Sequence, residues 1–253
     1  MVAFLTIKNI FKIHPFFYVL MFICLFTGNI RDFLVFSLII FVHELGHIFF
    51  GILFSWKIDK VVILPIGGLT IFNIFINTSL FEQFIVTLMG PVFQIVFYLI
   101  INHFFILSDS VIYYNFVLLI FNLLPIYPLD GSKILNVFLC LFFPFKYSHL
   151  ISCFISFLGI IFVFLFVGHF DLLIFLILLF LFFKVFYEFK NHRAIFYKFL
   201  YERYNYSFYF KYVKRVKCID KMFLWCRHLF FDQGRYITER EKLLKMFDNR
   251  YKL

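Results

Sequence analysis

The sequence predicts an all-α polytopic membrane protein of about six transmembrane helices, with a short re-entrant β-hairpin or loop and a small cytosolic α+β tail. Hydrophobic residues make up 64% of the 253 residues and charged residues only 15%, a composition far outside that of soluble globular domains. The apolar residues also form runs of spanning length with polar breaks between them. These two observations exclude a soluble protein.

Six apolar runs define the predicted spans. The first run is short and follows Lys8 and Lys12, as in a signal peptide, but no convincing A-x-A cleavage site comes after it. We therefore interpret it as an uncleaved span. The six spans are expected over approximately residues 15–28, 33–54, 81–107, 111–129, 147–167 and 172–187.

The positive charge is concentrated at the C-terminal end. Residues 1–188 carry eight Lys/Arg and eight Asp/Glu, whereas residues 189–253 carry sixteen Lys/Arg and six Asp/Glu, so the net charge of +10 lies in the second segment. We predict a membrane-embedded domain over residues 1–188 and a basic cytosolic region over residues 189–253. Attraction to anionic lipid explains this basic tail, and because no DNA or RNA motif is present, nucleic acid is not an expected partner.

An even number of spans places both termini on one side of the membrane, and the basic tail makes that side the cytosol. The Lys and Arg residues of the membrane domain then fall on the cytosolic side, with Arg31 as the exception. The cytosolic ones are Lys8, Lys12, Lys57, Lys60, Lys133, Lys146 and Lys184. The charge pattern therefore agrees with six spans in a multi-pass membrane protein.

The run HELGH lies in the middle of the second predicted span. His43 and His47 are four residues apart, so on a helix they lie on one face and can bind a single metal ion, while Glu44 reaches a water bound to it. An ionisable side chain near the bilayer centre costs about 2.5–3.5 kcal/mol on insertion scales, which disfavours a purely structural role. The motif predicts hydrolytic zinc chemistry inside a membrane span.

A catalytic zinc ion usually has three protein ligands, so one more must come from elsewhere in the chain. Asp130 follows the fourth span at its cytosolic end, where Pro125 and Pro128 break the helix and give Asp130 room to turn inward. The alternative is an ordinary Asp that caps a following helix over residues 132–143, and the residues alone leave both interpretations open. Other acidic residues lie in predicted outer loops or at span edges: Asp109, Asp171, Glu82 and Glu188.

HELGH followed by NLLPIYPLDG at residues 122–131 resembles the site-2 protease family of intramembrane metalloproteases. Supporting stretches are HPF at 14–16, FSWKIDKVVILPIGG at 54–68, the Gly90-Pro91 pair and LYERY at 200–204. The resemblance covers roughly residues 10–205. Within the family, the pattern is most similar to a protease that processes a sigma-factor precursor in sporulation.

This resemblance implies a zinc metalloendopeptidase with one Zn²⁺ per chain and Glu44 as its general base. The implied zinc ligands are His43, His47 and Asp130. The implied substrate-contacting residues are Asn122, Pro125 and Pro128. The expected reaction is hydrolysis of a peptide bond in a membrane-tethered protein near the cytosolic face of a bacterial membrane. The substrate would be a sigma-factor precursor in sporulation, or an anti-sigma factor outside sporulation. Membrane inhibitor proteins and a second copy of the chain are further expected partners.

Residues 61–77 are rich in β-branched and apolar residues but are interrupted by Pro65 and Gly67-Gly68, so they are too broken for a spanning helix. We predict a short hairpin or re-entrant loop whose edge pairs with an unwound substrate by strand addition. The alternative is an amphipathic interfacial loop without substrate contact.

Other polar residues of the membrane domain have several interpretations. Gly90-Pro91 predicts a kink in the third span, and the resemblance implies that this neighbourhood lines the site. Gln94, one turn later, is expected to form hydrogen bonds with a neighbouring helix, the alternative being the substrate backbone. His103, His149 and His169 lie near span ends and are expected at the membrane interface.

The tail shows a β-α-β-like pattern over residues 213–218, 220–228 and 229–238, followed by a charged helix over 239–247. The resemblance implies a nucleotide-sensing module of the cystathionine-β-synthase type at this place, but the pattern is short for a complete one. The expectation is therefore a truncated module, with docking of substrate, contact with a partner subunit or binding to the lipid surface as the alternatives.

Two other function classes compete with a protease. A metal-ion carrier would also place His and Asp in the membrane, but the sequence has no inverted repeat. An inactive scaffold would have no use for Glu44.

Overall fold

The computed structural model describes residues 11–13, 15–64, 67–104, 108–167, 172–232 and 234–248. It is mostly helical and contains two three-stranded sheets. The chain divides into two compact units, one of Met1–Ile74 with Phe84–Leu123 and one of Phe75–Gln83 with Leu124–Leu253. This confirms the coarse prediction of an apolar helical protein with small β elements.

The described residues of the first unit form four helices and one sheet. Its helices are α1 (Pro15–Phe26), α2 (Ile30–Leu53), most of α3 (Leu80–Phe104) and α4 (Asp109–Leu123). At the C-terminus of α2, Ser55 adopts a positive φ of 61°, and the Trp56 N–H donates to the Gly51 carbonyl at 2.8 Å. This left-handed cap ends α2 sharply and turns the chain into the sheet.

The sheet of the first unit contains β1 (Phe11–Ile13), β2 (Lys57–Leu64) and β3 (Gly67–Asn73). Strands β2 and β3 form an antiparallel hairpin, which confirms the hairpin alternative predicted for this part of the sequence. Strand β1 pairs with β2 in parallel and was not predicted, because three residues are too few to show a period-2 pattern. The order β1-β2-β3 leaves β3 at one edge of the described sheet.

Three described helices are long and apolar enough to cross a membrane: Ile30–Leu53, Leu80–Phe104 and Phe145–Phe166. Phe17–Phe26 and Asp109–Leu123 are apolar but shorter. The fourth predicted span, 111–129, ends earlier than expected at Leu123, because the following Pro125 and Pro128 cannot continue a helix. The six-span count stays a prediction.

The second unit contains α5 (Asp130–Phe142), α6 (Phe145–Val167), α7 (Leu172–Asn205) and the C-terminal tail. Helix α7 includes the sixth predicted span and continues without interruption past residue 188. His149 of α6 is buried, and its Nε2 lies 3.1 Å from the Glu188 carboxylate. Its ring packs inside the unit, and the expected position of His149 at the membrane interface stays a prediction. His103 is exposed, and His169 lies outside the described residues.

The tail is an α+β structure, but its element order differs from the predicted one. Strand β4 (Val213–Val216) runs parallel to β5 (Arg227–Asp232), and β5 is antiparallel to β6 (Arg235–Thr238), which precedes α8 (Glu239–Asp248). The helix predicted over 220–228 is only a 3₁₀ turn at Ile219–Lys221. The single strand predicted over 229–238 is a hairpin. Gly234, with φ +81°, permits the tight turn that divides it.

Arg203, from the LYERY stretch at the end of α7, joins that helix to the tail. Its guanidinium is buried and donates to Asn77 Oδ1 at 2.6 Å and to Glu239 Oε1 at 3.1 Å. It also lies over the Phe199 and Phe210 rings, at 4.7 and 4.5 Å from their centroids. Its remaining donors reach main-chain oxygens of Phe223, Leu224 and Cys226. A buried charge that is paired and hydrogen-bonded in this way fixes the position of the tail against α7.

His228 and Glu239 make the tail sensitive to acid. Burial lowers the pKa of His228, whose Nδ1 lies 2.9 Å from Glu239 and whose Nε2 accepts the Phe223 N–H at 2.9 Å. Burial alone would raise the pKa of Glu239, but the hydrogen bond from His228 and the charge of Arg203 outweigh it and hold this pKa below its ordinary value. Both groups therefore bind a proton more readily in the unfolded tail.

We expect the tail to lose stability as pH falls, first below about 6.5 through His228 and then below about 4.5 through Glu239. Each unit by which a folded pKa lies below its unfolded value contributes about 1.4 kcal/mol above that range. Amide hydrogen exchange of β5 between pH 8 and 5 measures the loss, with the β2–β3 hairpin as internal control. His228→Gln should flatten the change between pH 7 and 5. Protection factors of the β5 amides, which are exchange rates corrected for the intrinsic rate at each pH, that do not change with pH would contradict the assignment.

Candidate active site

The predicted metal-binding histidines lie side by side on α2. His43 and His47 are both buried, and their Nε2 atoms are 3.2 Å apart. The α-helical repeat brings residues four apart onto one face, so the HELGH spacing alone produces this pairing. The structure therefore brings together the two imidazoles as predicted.

Helix α3 packs closely against this pair because glycine occurs on both helices. A Cβ on Gly46 of α2 would meet the Met89 carbonyl oxygen, and a Cβ on Gly90 of α3 would meet the His47 ring and lie 2.9 Å from His43 Nε2. Small residues at such a crossing let two apolar helices approach closely. The sequence predicted a kink at Gly90, and the resemblance implied that this neighbourhood lines the site; the nearness of Gly90 to both histidines agrees with that implication.

Gly90→Ala is expected to displace the His47 ring, to destabilise the protein by about 1–3 kcal/mol through overpacking, and to weaken metal binding. Thermal unfolding in detergent and zinc titration measure the two effects. Gly51→Ala is the matched control, because its Cβ would meet the Phe72 ring 2.5 Å away and no histidine. If the Gly90→Ala protein bound zinc with the affinity of the wild type, the inferred close contact between position 90 and the His47 ring would be contradicted.

Each histidine has a hydrogen-bond partner at Nδ1. His47 Nδ1 donates to the Val86 main-chain oxygen at 2.8 Å, and His43 Nδ1 lies 3.0 Å from Gln94 Oε1. Such partners fix the tautomer and the ring orientation of metal-binding histidines. With the proton on Nδ1, each ring has its lone pair on Nε2, the atom that faces the other histidine.

Glu44 lies beside the histidines and contacts the β2–β3 hairpin. Its Oε2 accepts a hydrogen bond of 2.5 Å from Thr70 Oγ1, and a Cβ on Gly68 would collide with its side chain. Strand β3 therefore passes directly against the carboxylate. The sequence predicted the hairpin and the acid separately, but nothing in it indicated that Thr70 and Gly68 would contact Glu44.

Asp130 is the first residue of α5 and is buried. It is not the N-cap, which is Leu129, and its Oδ1 lies 2.9 Å from Lys133 Nζ. The helix starts two residues earlier than the predicted 132–143, so the interpretation of Asp130 as a simple cap of that helix is wrong. Among the described residues, His43, His47 and Asp130 form a candidate metal-binding group. Two imidazoles and one carboxylate are a donor set that suits zinc.

The segment before Asp130 is held in place by α6. Ser156 Oγ donates to the Pro125 carbonyl at 3.2 Å and accepts the Tyr127 N–H at 3.1 Å, and Ile126 is fully buried. These contacts fix the bend that precedes α5. The three predicted substrate-contacting residues, Asn122, Pro125 and Pro128, are half-buried. Their role stays a prediction.

Comparison with known proteins identifies the family. The model of peptidase family M50 matches residues 32–111, which include HELGH. Stage IV sporulation protein FB of Bacillus subtilis is 34% identical over 206 residues, which cover 76% of this chain and 70% of that protein. The chain belongs to peptidase family M50.

Two further relatives of this M50 protein agree with the assignment. A zinc metalloprotease of Methanocaldococcus jannaschii is 30% identical over 108 residues, or 39% of this chain and 31% of that protein. The solved site-2 protease from Methanocaldococcus jannaschii has the same fold, with a TM-score of 0.53 and 24% identity over 71% of this chain and 90% of that one. The resemblance to site-2 proteases seen in the sequence is thus confirmed, and the protein is an intramembrane metalloprotease of this family.

Proposed function

We propose that this M50 protein is a zinc-dependent endopeptidase that cuts a membrane-tethered sigma-factor precursor near the cytosolic face of the membrane during sporulation. The observation that carries the proposal is the grouping of His43, His47 and Asp130 with Glu44 beside the histidines. The 34% identity to a stage IV sporulation protein supports the sporulation context. An anti-sigma factor outside sporulation is the alternative substrate.

In this proposal His43, His47 and Asp130 would hold one zinc ion, which when bound would supply a water of lowered pKa and polarisation of the scissile carbonyl. Glu44 is the general base: its carboxylate would take up a proton and later return it to the leaving amine. The hydrogen bond from Thr70 holds one carboxylate oxygen of Glu44, so the orientation of the base is set before substrate arrives. Burial of all four side chains limits the access of bulk water.

The β2–β3 hairpin supports a proposal for how the substrate backbone is held beside Glu44. A transmembrane helix hides its peptide carbonyls in its own hydrogen bonds, so the segment to be cut must unwind. Strand β3 lies at an edge of the described sheet and contacts Glu44 through Gly68 and Thr70. An unwound substrate that adds to this edge would carry its backbone past the base. We propose Asn122, Pro125 and Pro128 as further substrate contacts.

The membrane topology belongs to the same proposal. We propose six spans with both termini in the cytosol, a membrane domain over residues 1–188 and a cytosolic region over residues 189–253. The basic tail then faces anionic lipid on the side where the product is released.

Purified full-length protein in liposomes tests the proposal, with two membrane-tethered substrates, a sigma-factor precursor and an anti-sigma factor. We expect a product from the sigma-factor precursor that disappears with a zinc chelator and returns when Zn²⁺ is added. Product from the anti-sigma factor alone would replace the proposed substrate. Cleavage that withstands complete zinc removal, or zinc flux across the liposome without any cleavage, would overturn the proposed function.

A further inference from the structure

Gln94 is a fully buried amide in the middle of α3, and all of its polar atoms have partners within the first unit. Its Nε2 donates to the Asn115 main-chain oxygen at 2.8 Å and to Asn115 Oδ1 at 3.2 Å. Its Oε1 lies 3.0 Å from His43 Nδ1. The amide therefore connects helix α4 to one of the two histidines.

The two oxygens of Asn115 fix which way the Gln94 amide points. A flipped amide would place Oε1 against the Asn115 carbonyl, where two acceptors repel, and would place an N–H group against His43. In the observed orientation Oε1 can only accept, so His43 must donate from Nδ1. The lone pair of the His43 ring is then on Nε2, which lies 3.2 Å from His47 Nε2.

We propose that Gln94 is a positioning residue of the metal site: it fixes the tautomer and ring angle of His43, and Asn115 fixes the orientation of Gln94. The proposal rests on the zinc site of the proposed function. Gln94 is a side chain and can be substituted, whereas the Nδ1 partner of His47 is the Val86 main-chain oxygen, which no side-chain substitution removes. Substitution of Gln94 therefore removes the hydrogen-bond partner of His43 Nδ1 and leaves that of His47 in place.

A zinc-binding titration of the purified full-length protein in detergent tests this role. Gln94→Leu keeps the approximate volume but removes the acceptor, and we expect about 10–100-fold weaker zinc binding in competition with a chromogenic chelator. The absorption spectrum of the Co²⁺-loaded protein should change as well, because one ligand ring is no longer held at its angle. Gln94→Glu retains an oxygen acceptor for His43 and should bind zinc more tightly than Gln94→Leu.

Gln83→Leu is the matched control, since it removes the same amide from the first turn of the same helix, where the Gln83 amide donates to the Ile76 and Thr78 oxygens. It should leave zinc affinity and the Co²⁺ spectrum unchanged. Thermal unfolding of the zinc-free variants separates a loss of packing from a loss of ligand orientation.

The outcomes distinguish this inference from the proposed function. Wild-type protein that binds zinc, together with Gln94→Leu that binds it equally well, would overturn the role of Gln94 and leave the protease intact. Equal zinc loss in the Leu and Glu variants would also overturn it, because space filling and not acceptance would then be the role of Gln94. Wild-type protein that binds no zinc would overturn the proposed function and this inference with it.

Discussion

Glu44→Gln is expected to reduce peptide hydrolysis by about 10²–10⁴-fold and to leave zinc binding intact. The amide has nearly the same shape as the carboxylate but cannot accept the proton of the attacking water. Thr70 Oγ1 can still donate to the amide oxygen, so the side chain should keep its orientation. Product formation from the tethered substrate and zinc content per chain are measured on the same preparation.

Glu82→Gln is the matched control for this substitution, because it makes the same chemical change in the first turn of α3. Its activity should equal that of the wild type. If Glu44→Gln cleaved the substrate at the wild-type rate, another group would have to be the base. If the Glu44→Gln protein lost its zinc, the loss of hydrolysis would result from the missing metal, and the assignment of Glu44 as the general base would fail.

Asp130→Ala is expected to weaken zinc binding by more than about 100-fold and to abolish cleavage. Removing a direct ligand should cost more than the 10–100-fold typical of a lost outer hydrogen bond. The substitution also removes the carboxylate that lies 2.9 Å from the Lys133 ammonium. Chelator competition gives the affinity, and circular dichroism in detergent verifies the helix content.

Asp109→Ala provides the comparison for Asp130→Ala, since Asp109 is likewise the first residue of a helix but is exposed. It should retain full zinc affinity and activity. Zinc binding of normal strength in Asp130→Ala would remove this residue from the ligand set, and another acid would then have to be the third ligand.

The local part of the site was predictable because it depends on a single helix. The spacing of His43 and His47 places both rings on one face of any α-helix, and the adjacent Glu44 follows from the same geometry. Asp130 was harder, since its direction depends on a bend that Ser156 of α6 stabilises through hydrogen bonds. The sequence indicates a helix break at Pro125, but it does not give the angle of the bend.

Contacts between elements could not be predicted in this way. Gln94 of α3 contacts Asn115 on α4 and His43 on α2. The residue pattern of one helix does not show which residues of another helix it will contact. Thr70 meets Glu44 only because the cap at Ser55 turns β2 and β3 back along α2. In the tail, residues 220–228 contain enough apolar residues to suggest a helix. They instead supply main-chain oxygens to Arg203, a tertiary interaction that outweighs local propensity.

The uninterrupted α7 has a mechanical consequence. Its 34 residues give a rod about 51 Å long, well beyond the roughly 30 Å hydrocarbon thickness of a bilayer, and Arg203 clamps the tail to the far end. Because the helix is continuous, a rotation of its first part also rotates the tail. Deleting one residue between positions 189 and 199 would rotate the tail by about 100° around the helix axis and shorten the helix by about 1.5 Å. The direction in which the tail points around the axis of α7 is therefore set by the number of residues in the helix.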